Sequence, residues 1–187
     1  MINLKPIETS IGKDVNALAE IYCGAFIGND YTSEDLYEAK QTFIKHVTYP
    51  GFRGIKYINE SEEILGFAYG YTSLPEQFYR NKLDGHLDEI EKNKWLQECF
   101  EFVELAVDVK SRQSGIGKQL HDYLLNYVNH DTSILTTSID NFPAINLYKS
   151  REWQIIKRNV VLIPGTEPQI IMGKKLGATI EEIPHTY

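Results

Sequence analysis

A chain of 187 residues, 42% hydrophobic and 24% charged, is long enough for one domain with a real core and too apolar for intrinsic disorder. Its formal charge of −7, with no run of Lys and Arg, excludes a surface built to displace counterions from nucleic acid. No stretch is long and apolar enough for a bilayer, which excludes a membrane as partner.

Met1 to Pro6 lack a charged head followed by an apolar run, so no signal peptide is expected and the chain is placed in the cytoplasm. Residues 2–7 read as a short strand. Val15, Leu18, Ala19, Tyr22, Cys23 and Phe26 follow at intervals of three and four, the stripe of a helix that Gly28 ends. Thr32 or Ser33 caps a second helix, with Glu34 and Asp35 in its first turn and Leu36, Ala39, Phe43 and Val47 on its apolar face. After Pro50-Gly51, residues 52–58 and 64–72 read as strands of an antiparallel hairpin around the polar turn 59–63. Residues 75–98 keep helical spacing at Leu83, Leu87 and Ile90 and are predicted to be a helical insertion, with Tyr71, Phe78, Tyr79 and Trp95 as candidate lining of a cleft.

Glu101 to Val109 carries the strongest strand pattern. Regular alternation sets Glu101, Val103, Leu105 and Val107 on one face and Phe102, Glu104 and Ala106 on the other. Ile116, Leu120, Leu124, Tyr127 and Val128 then form a helical stripe, 134–139 a strand, and 143–150 a helix opened by Pro143. Residues 153–163 and 169–176 close as two strands, and the last seven residues read as a loose tail. Hairpins mixed with helical crossovers predict an α/β fold: one mixed sheet flanked by helices, in a single domain over 1–187. Cys23 and Cys99 sit in apolar stretches without a CxxC pair, and the five His lack ligand spacing, so no metal site is expected.

The chemistry lies in the turn Lys110-Ser111-Arg112-Gln113-Ser114-Gly115-Ile116-Gly117-Lys118, between a strand and a helix. Glycines admit a ligand to the backbone, and the helix start aims unpaired N–H groups at the same place, which suits pyrophosphate. A Walker A loop fails here, because Arg112 holds its first Gly position and Gln119 its hydroxyl position. A dinucleotide loop fails because Leu120 replaces the third Gly. Arg112-x-x-Gly115-x-Gly117 after Leu105-Ala106-Val107 resembles motif A of the GNAT superfamily. Asn141-x-x-Ala144-x-x-Leu147-Tyr148, followed by Trp153, resembles its motif B. Gln113 and Glu152 depart from the pattern, each standing where many members carry Gly, and Val109 stands where many carry Pro.

The resemblance covers about residues 2–176 and implies a mostly antiparallel GNAT sheet, acetyl-CoA as cofactor and an N-acetyltransferase acting in a ternary complex. It implies that coenzyme A wedges between strands 101–109 and 133–139. The backbone near Val107 and Val109 would meet pantetheine, the amides of Gln113 to Lys118 (Gln113, Ser114, Gly115, Ile116, Gly117, Lys118) the pyrophosphate, with Arg112 adding charge and Asn141 touching the pantetheine arm. It implies Tyr148 as the acid, a backbone N–H near Leu105 for the thioester oxygen, and Glu101 or Glu104 as base. The acceptor stays open between a small-molecule and a peptide amine. A silent acyl-CoA sensor and a protein lysine or N-terminal acetyltransferase are the alternatives, and a homodimer through the late strands is compatible with the family.

Overall fold

The computed structural model describes residues 3–8 and 13–177. Seven strands form one sheet: β1 (Leu4–Pro6), β2 (Arg53–Ile58), β3 (Ile64–Thr72), β4 (Cys99–Val107), β5 (Thr132–Ser138), β6 (Gln154–Val160) and β7 (Gln169–Lys175). Their order is β1-β2-β3-β4-β5-β7-β6, and every neighbouring pair is antiparallel except β4 with β5. Six helices flank it: α1 (Lys13–Phe26), α2 (Ser33–Val47), α3 (Phe78–Asp84), α4 (Glu89–Trp95), α5 (Ile116–Leu125) and α6 (Phe142–Lys149). The expected mixed, mostly antiparallel sheet is therefore observed. The tail predicted at 181–187 and the start of the first strand lie outside the described residues.

Sequence chemistry accounts for the element ends. Thr32 caps α2 in a reciprocal box with Asp35, resolving the choice between Thr32 and Ser33. Asp88 and Glu91 form the same box at α4. The predicted insertion at 75–98 is thus two short helices joined through Gly85, and they pack Leu83, Leu87 and Leu96 onto Cys99, Ile134 and Ile171 of the sheet. Helix α5 stops at Leu125, one turn short of its stripe.

The core has two sides. Helices α5 and α6 cover one face with Ile116, Leu120, Leu124 and Ile145 against Ala68, Phe102 and Leu135. On the other face, α1 and α2 lie over β2–β4, with Leu18 and Phe43 on Phe67 and Ala106. Each such fully buried aliphatic stabilises the fold by about 1.5–3 kcal/mol. A buried ion pair ties the start of α1 to the sheet: Lys56 donates to both oxygens of Asp14, at 2.8 and 2.6 Å, and the Glu8 N–H adds a third bond.

Strand β4 does not keep regular alternation. Tyr71 pairs with Glu101 and Gly70 with Phe102, but Tyr69 pairs with Glu104, so Val103 is one extra residue on β4. Directly opposed residues share a face. Glu101, Glu104 and Ala106 therefore all follow Tyr71, Tyr69 and Phe67 onto the α1–α2 side, and the expectation that the two glutamates face apart is corrected. Gly70 makes room for the bulge, since a Cβ there would collide with the Glu101 carbonyl and the Phe100 ring.

Candidate active site

Strands β4 and β5 part early. They pair only from Cys99 to Glu101 and from Thr132 to Ile134, although both strands run on. Beyond Glu101 the edge of β4 faces a gap instead of a neighbour. At the far end of the gap sits the glycine turn. Asp108 caps a 3-10 turn over Val109–Ser111, the Ser114 hydroxyl donates to the Ser111 carbonyl at 2.5 Å, and Gly115 opens α5 with φ +82°. The amides of Ile116, Gly117 and Lys118 occupy the first turn of α5, where helix geometry leaves N–H groups without an intrahelical partner. Ile116 is buried, and Gln113, Ser114 and Lys118 are exposed. A Cβ on Gly117 would point between Val107 and Leu147, at 3.7 and 3.9 Å from their methyl carbons. Packing alone does not require glycine there; keeping the space between β4 and α6 open does. This cradle fits an elongated ligand carrying phosphates.

One placement differs from the sequence reading, and three further residues make contacts that the sequence did not show. Val109 is not on the strand: β4 ends at Val107, and Val109 is half-exposed in the 3-10 turn. The Arg112 guanidinium donates to carbonyls, those of Val107 at 3.4 Å and Ala25 at 3.2 Å, fastening the end of α1 to β4. The Leu105 N–H serves the carboxylate of its neighbour Glu104. Asn141 caps α6, its side-chain oxygen accepting from the Ala144 N–H at 3.3 Å, which leaves its two amide hydrogens to spare.

Gln113 and Glu152, the two departures from a Gly pattern, both adopt left-handed φ, +63° and +64°. Left-handed backbone costs a residue with a Cβ about 1–2 kcal/mol. Gln113→Gly and Glu152→Gly are each expected to raise the unfolding free energy by about 1 kcal/mol, as read by urea denaturation. A loss of stability in both variants would contradict that account.

On the α1–α2 side of the sheet lies a cavity of about 230 Å³. Tyr22 of α1, Asp35, Glu38 and His46 of α2, Tyr69 of β3 and Glu104 of β4 line it, with Phe43 and Phe67 behind. Glu104 belongs both to the cavity and to the unpaired stretch of β4. Burial pushes its carboxyl up to about 8, against the opposing bond from Leu105. Glu101 is 3% exposed and accepts from the hydroxyls of Tyr71 and Ser73, each at 3.2 Å. Burial raises it to about 7, while those two bonds and the charge of Arg80 pull the other way. His46 stands 3.1 Å from the Tyr69 hydroxyl, and burial, with Lys45 adding, holds its pKa down at about 4, so the ring is neutral near pH 7.

Tyr148 of α6 approaches from the opposite face. Its ring packs on Phe102, His121 and Trp153, and burial and then the charge of Glu104 raise its phenol, which stays protonated at neutral pH. Below it a buried chain of bonds joins α5 to the start of β6. Trp153 donates to Nε2 of His121 at 2.8 Å, so His121 carries its hydrogen on Nδ1 and directs it to Asp122, which also holds Arg151.

Of the cleft residues expected from sequence, Tyr71 meets Glu101, and Tyr79 bonds Thr136 at 2.6 Å and Gln169 at 3.1 Å. Trp95 is core, packed against Gly173, and Phe78 lies on the surface. Tyr22, His46 and Tyr69 were not singled out from sequence. The signal for Tyr69 was the alternation Phe67, Tyr69, Tyr71, a strand face with hydroxyls where aliphatic side chains suffice for packing. Among the described residues no cluster of three metal-binding side chains occurs, and no helix is long and apolar enough to cross a membrane.

The family model described as "Acetyltransferase (GNAT) family" matches residues 15–153. No curated protein sequence matches the chain. Among solved structures, a GNAT superfamily phosphinothricin acetyltransferase from Sinorhizobium meliloti, in complex with AcCoA, superposes with a TM-score of 0.65 at 16% identity, covering 98% of this chain and 94% of its own. The ribosomal-protein-S18-alanine N-acetyltransferase from Escherichia coli gives 0.65 at 17% identity, over 98% and 97%. An aminoglycoside 6'-N-acetyltransferase complexed with coenzyme A gives 0.63 at 14%, over 92% and 96%. At such identities the likeness establishes a shared fold.

Proposed function

Because this chain belongs to the GNAT acetyltransferase family, we propose that it moves an acetyl group from acetyl-CoA to a primary amine held in the α1–α2 cavity. The observation that carries this reading is the position of Glu104. One residue lies on the strand edge exposed by the β4–β5 gap and also lines the cavity, so the two spaces meet at a carboxyl.

The chain's residues fit acetyl-CoA. The α5 amides from Ile116 to Lys118 would hold the pyrophosphate, the space beside Gly117 would admit the pantetheine arm, and the amide hydrogens of Asn141 would donate to it. When bound, acetyl-CoA supplies the acetyl thioester. Glu104, with a pKa near working pH, takes a proton from the amine, and the nitrogen then bonds to the acetyl carbon as the carbon–sulfur bond breaks. Protonation of Glu104 weakens its hold on the Leu105 N–H, which turns to the thioester oxygen as negative charge builds there. Tyr148 donates a hydrogen bond to the departing sulfur. A phenol is a weaker acid than a thiol, so Tyr148 stabilises the thiolate and solvent supplies its proton. Glu101, anchored by Tyr71 and Ser73, holds the floor beside Glu104.

Calorimetric titration with acetyl-CoA, with ATP and NAD as controls, tests the reading. Acetyl-CoA alone is expected to bind. Gly117→Val should lower its affinity at least about tenfold, equivalent to about 1.4 kcal/mol, while the fold persists, because the added carbons enter the gap and not the core. Equal affinity in the variant would remove the cradle from the site, and absence of binding would remove the enzyme.

A further inference from the structure

We infer that the cavity selects a short alkyl diamine, a primary amine at the inner end with a second ammonium a few methylenes away at the rim. The inference rests on the acyltransferase reading and names its acceptor.

Size comes first. The cavity's 230 Å³ falls below the roughly 300–1,000 Å³ of pockets that enclose drug-sized molecules. A sugar-based polyamine exceeds it, and a short alkyl chain fills it. Wall chemistry comes second. Aromatic side chains from three elements, Tyr22, Phe43 and Tyr69, flank the space; they suit methylene groups and their ring faces attract ammonium.

Charge decides the class. Three carboxyl groups line the cavity, Glu104 within and Asp35 and Glu38 on α2, and no Lys or Arg does among the described residues. The one lining group that could become cationic, His46, is neutral. An amine bearing its own carboxylate would meet Asp35 and Glu38 at the rim without a counter-charge. Asp35 and Glu38 are three residues apart, hence neighbours on one side of α2. The helix cap explains Asp35, whose Oδ2 accepts the Thr32 N–H and hydroxyl, each at 2.7 Å, while Oδ1 stays available. Nothing in the fold explains Glu38, which is exposed and has no cationic partner among the described residues. A diamine gives it one. A lysine side chain brings only the ammonium that reacts, leaving the rim acids opposite backbone amides.

The experiment compares kcat/KM of the full chain for putrescine, butylamine, γ-aminobutyrate and a lysine-containing peptide. Putrescine is expected to exceed butylamine about fivefold, the scale of a partly exposed ion pair, and γ-aminobutyrate about 100-fold, because like charge costs several kcal/mol. Glu38→Gln should collapse the putrescine-to-butylamine ratio about fivefold; Asp35 is left intact because it caps α2. Equal rates for putrescine and butylamine, or a preference for the peptide or the amino acid, overturn the inference while the acyltransferase reading stands. If acetyl-CoA does not bind, that reading falls, and titration of putrescine into the chain alone decides the cavity: binding supports the inference and absence of binding overturns it.

Discussion

Glu104→Gln is expected to lower kcat about 10²- to 10⁴-fold while leaving acetyl-CoA affinity close to native, because a general base contributes on that scale and acts only in the transition state. The native pH profile should rise with pH through about 8, as Glu104 ionises, and Glu101 titrates nearby at about 7. Two close carboxyls give one composite limb, so the diagnostic is loss of its upper part in the variant. Stability should move the other way. The folded pKa of Glu104 is raised above its ordinary value of 4.5, so the folded state keeps a proton that the unfolded chain releases. Stability contributed by that proton is present at low pH and is lost as pH climbs through about 8. Glutamine carries no such liability, and Glu104→Gln should melt above the native protein at pH 9. Native kcat in Glu104→Gln, with turnover lost in Glu101→Gln, would transfer the base to Glu101. Tyr148→Phe should lower turnover more than acetyl-CoA affinity; equal losses would remove it from the sulfur.

Lys56→Met is expected to cost about 3–5 kcal/mol of unfolding free energy. Asp14 is 4% exposed and Lys56 7%, so the variant strands a carboxylate in the interior, with the Glu8 N–H as its remaining partner among the described residues. The midpoint of a urea unfolding curve reads the loss, and a shift worth under about 1 kcal/mol would mean that water reaches Asp14. The double variant Lys56→Met with Asp14→Leu should recover most of the loss, because removing both charges also removes their desolvation cost. The damage also bears on the cavity: Asp14 lies in the first turn of α1, and the same helix carries Leu18, Ala19 and Tyr22 into the cavity wall.

The helices were legible because spacings such as Val15, Leu18, Tyr22 and Leu120, Leu124 have no other explanation than a buried face. The succession of strands and helices along the chain, the insertion and the glycine turn followed from turn residues and hydrophobic spacing, whereas the order of the strands across the sheet did not. The bulge at Val103 was not legible, because Glu-Phe-Val-Glu-Leu-Ala-Val scans as an unbroken alternation and the interruption is imposed by Tyr69 and Gly70 across the sheet. The parting of β4 from β5 leaves no mark on either strand for the same reason. Gln113 and Glu152 hid their left-handed backbone behind residue types that seldom adopt it. The cavity gathers side chains from α1, α2, β3 and β4, each unremarkable alone. Arg112 stands beside a phosphate-shaped turn, and its two bonds to the carbonyls of Val107 and Ala25 leave no mark in the sequence.

The extra residue at Val103 is a change of parity. In a regular strand, carboxyls three positions apart fall on opposite sides of the sheet, and a chain that needs two acids on one side must space them by an even number. Here an odd spacing serves, because the count is reset between Glu101 and Glu104. Removing Val103 would leave the acids two positions apart, and regular pairing would still hold both on the α1–α2 side; keeping Val103 but forcing the strand into regular alternation would instead send one of them through the sheet. What the odd spacing requires is therefore the bulge itself, and with it the glycine at position 70 that leaves room for the Glu101 carbonyl.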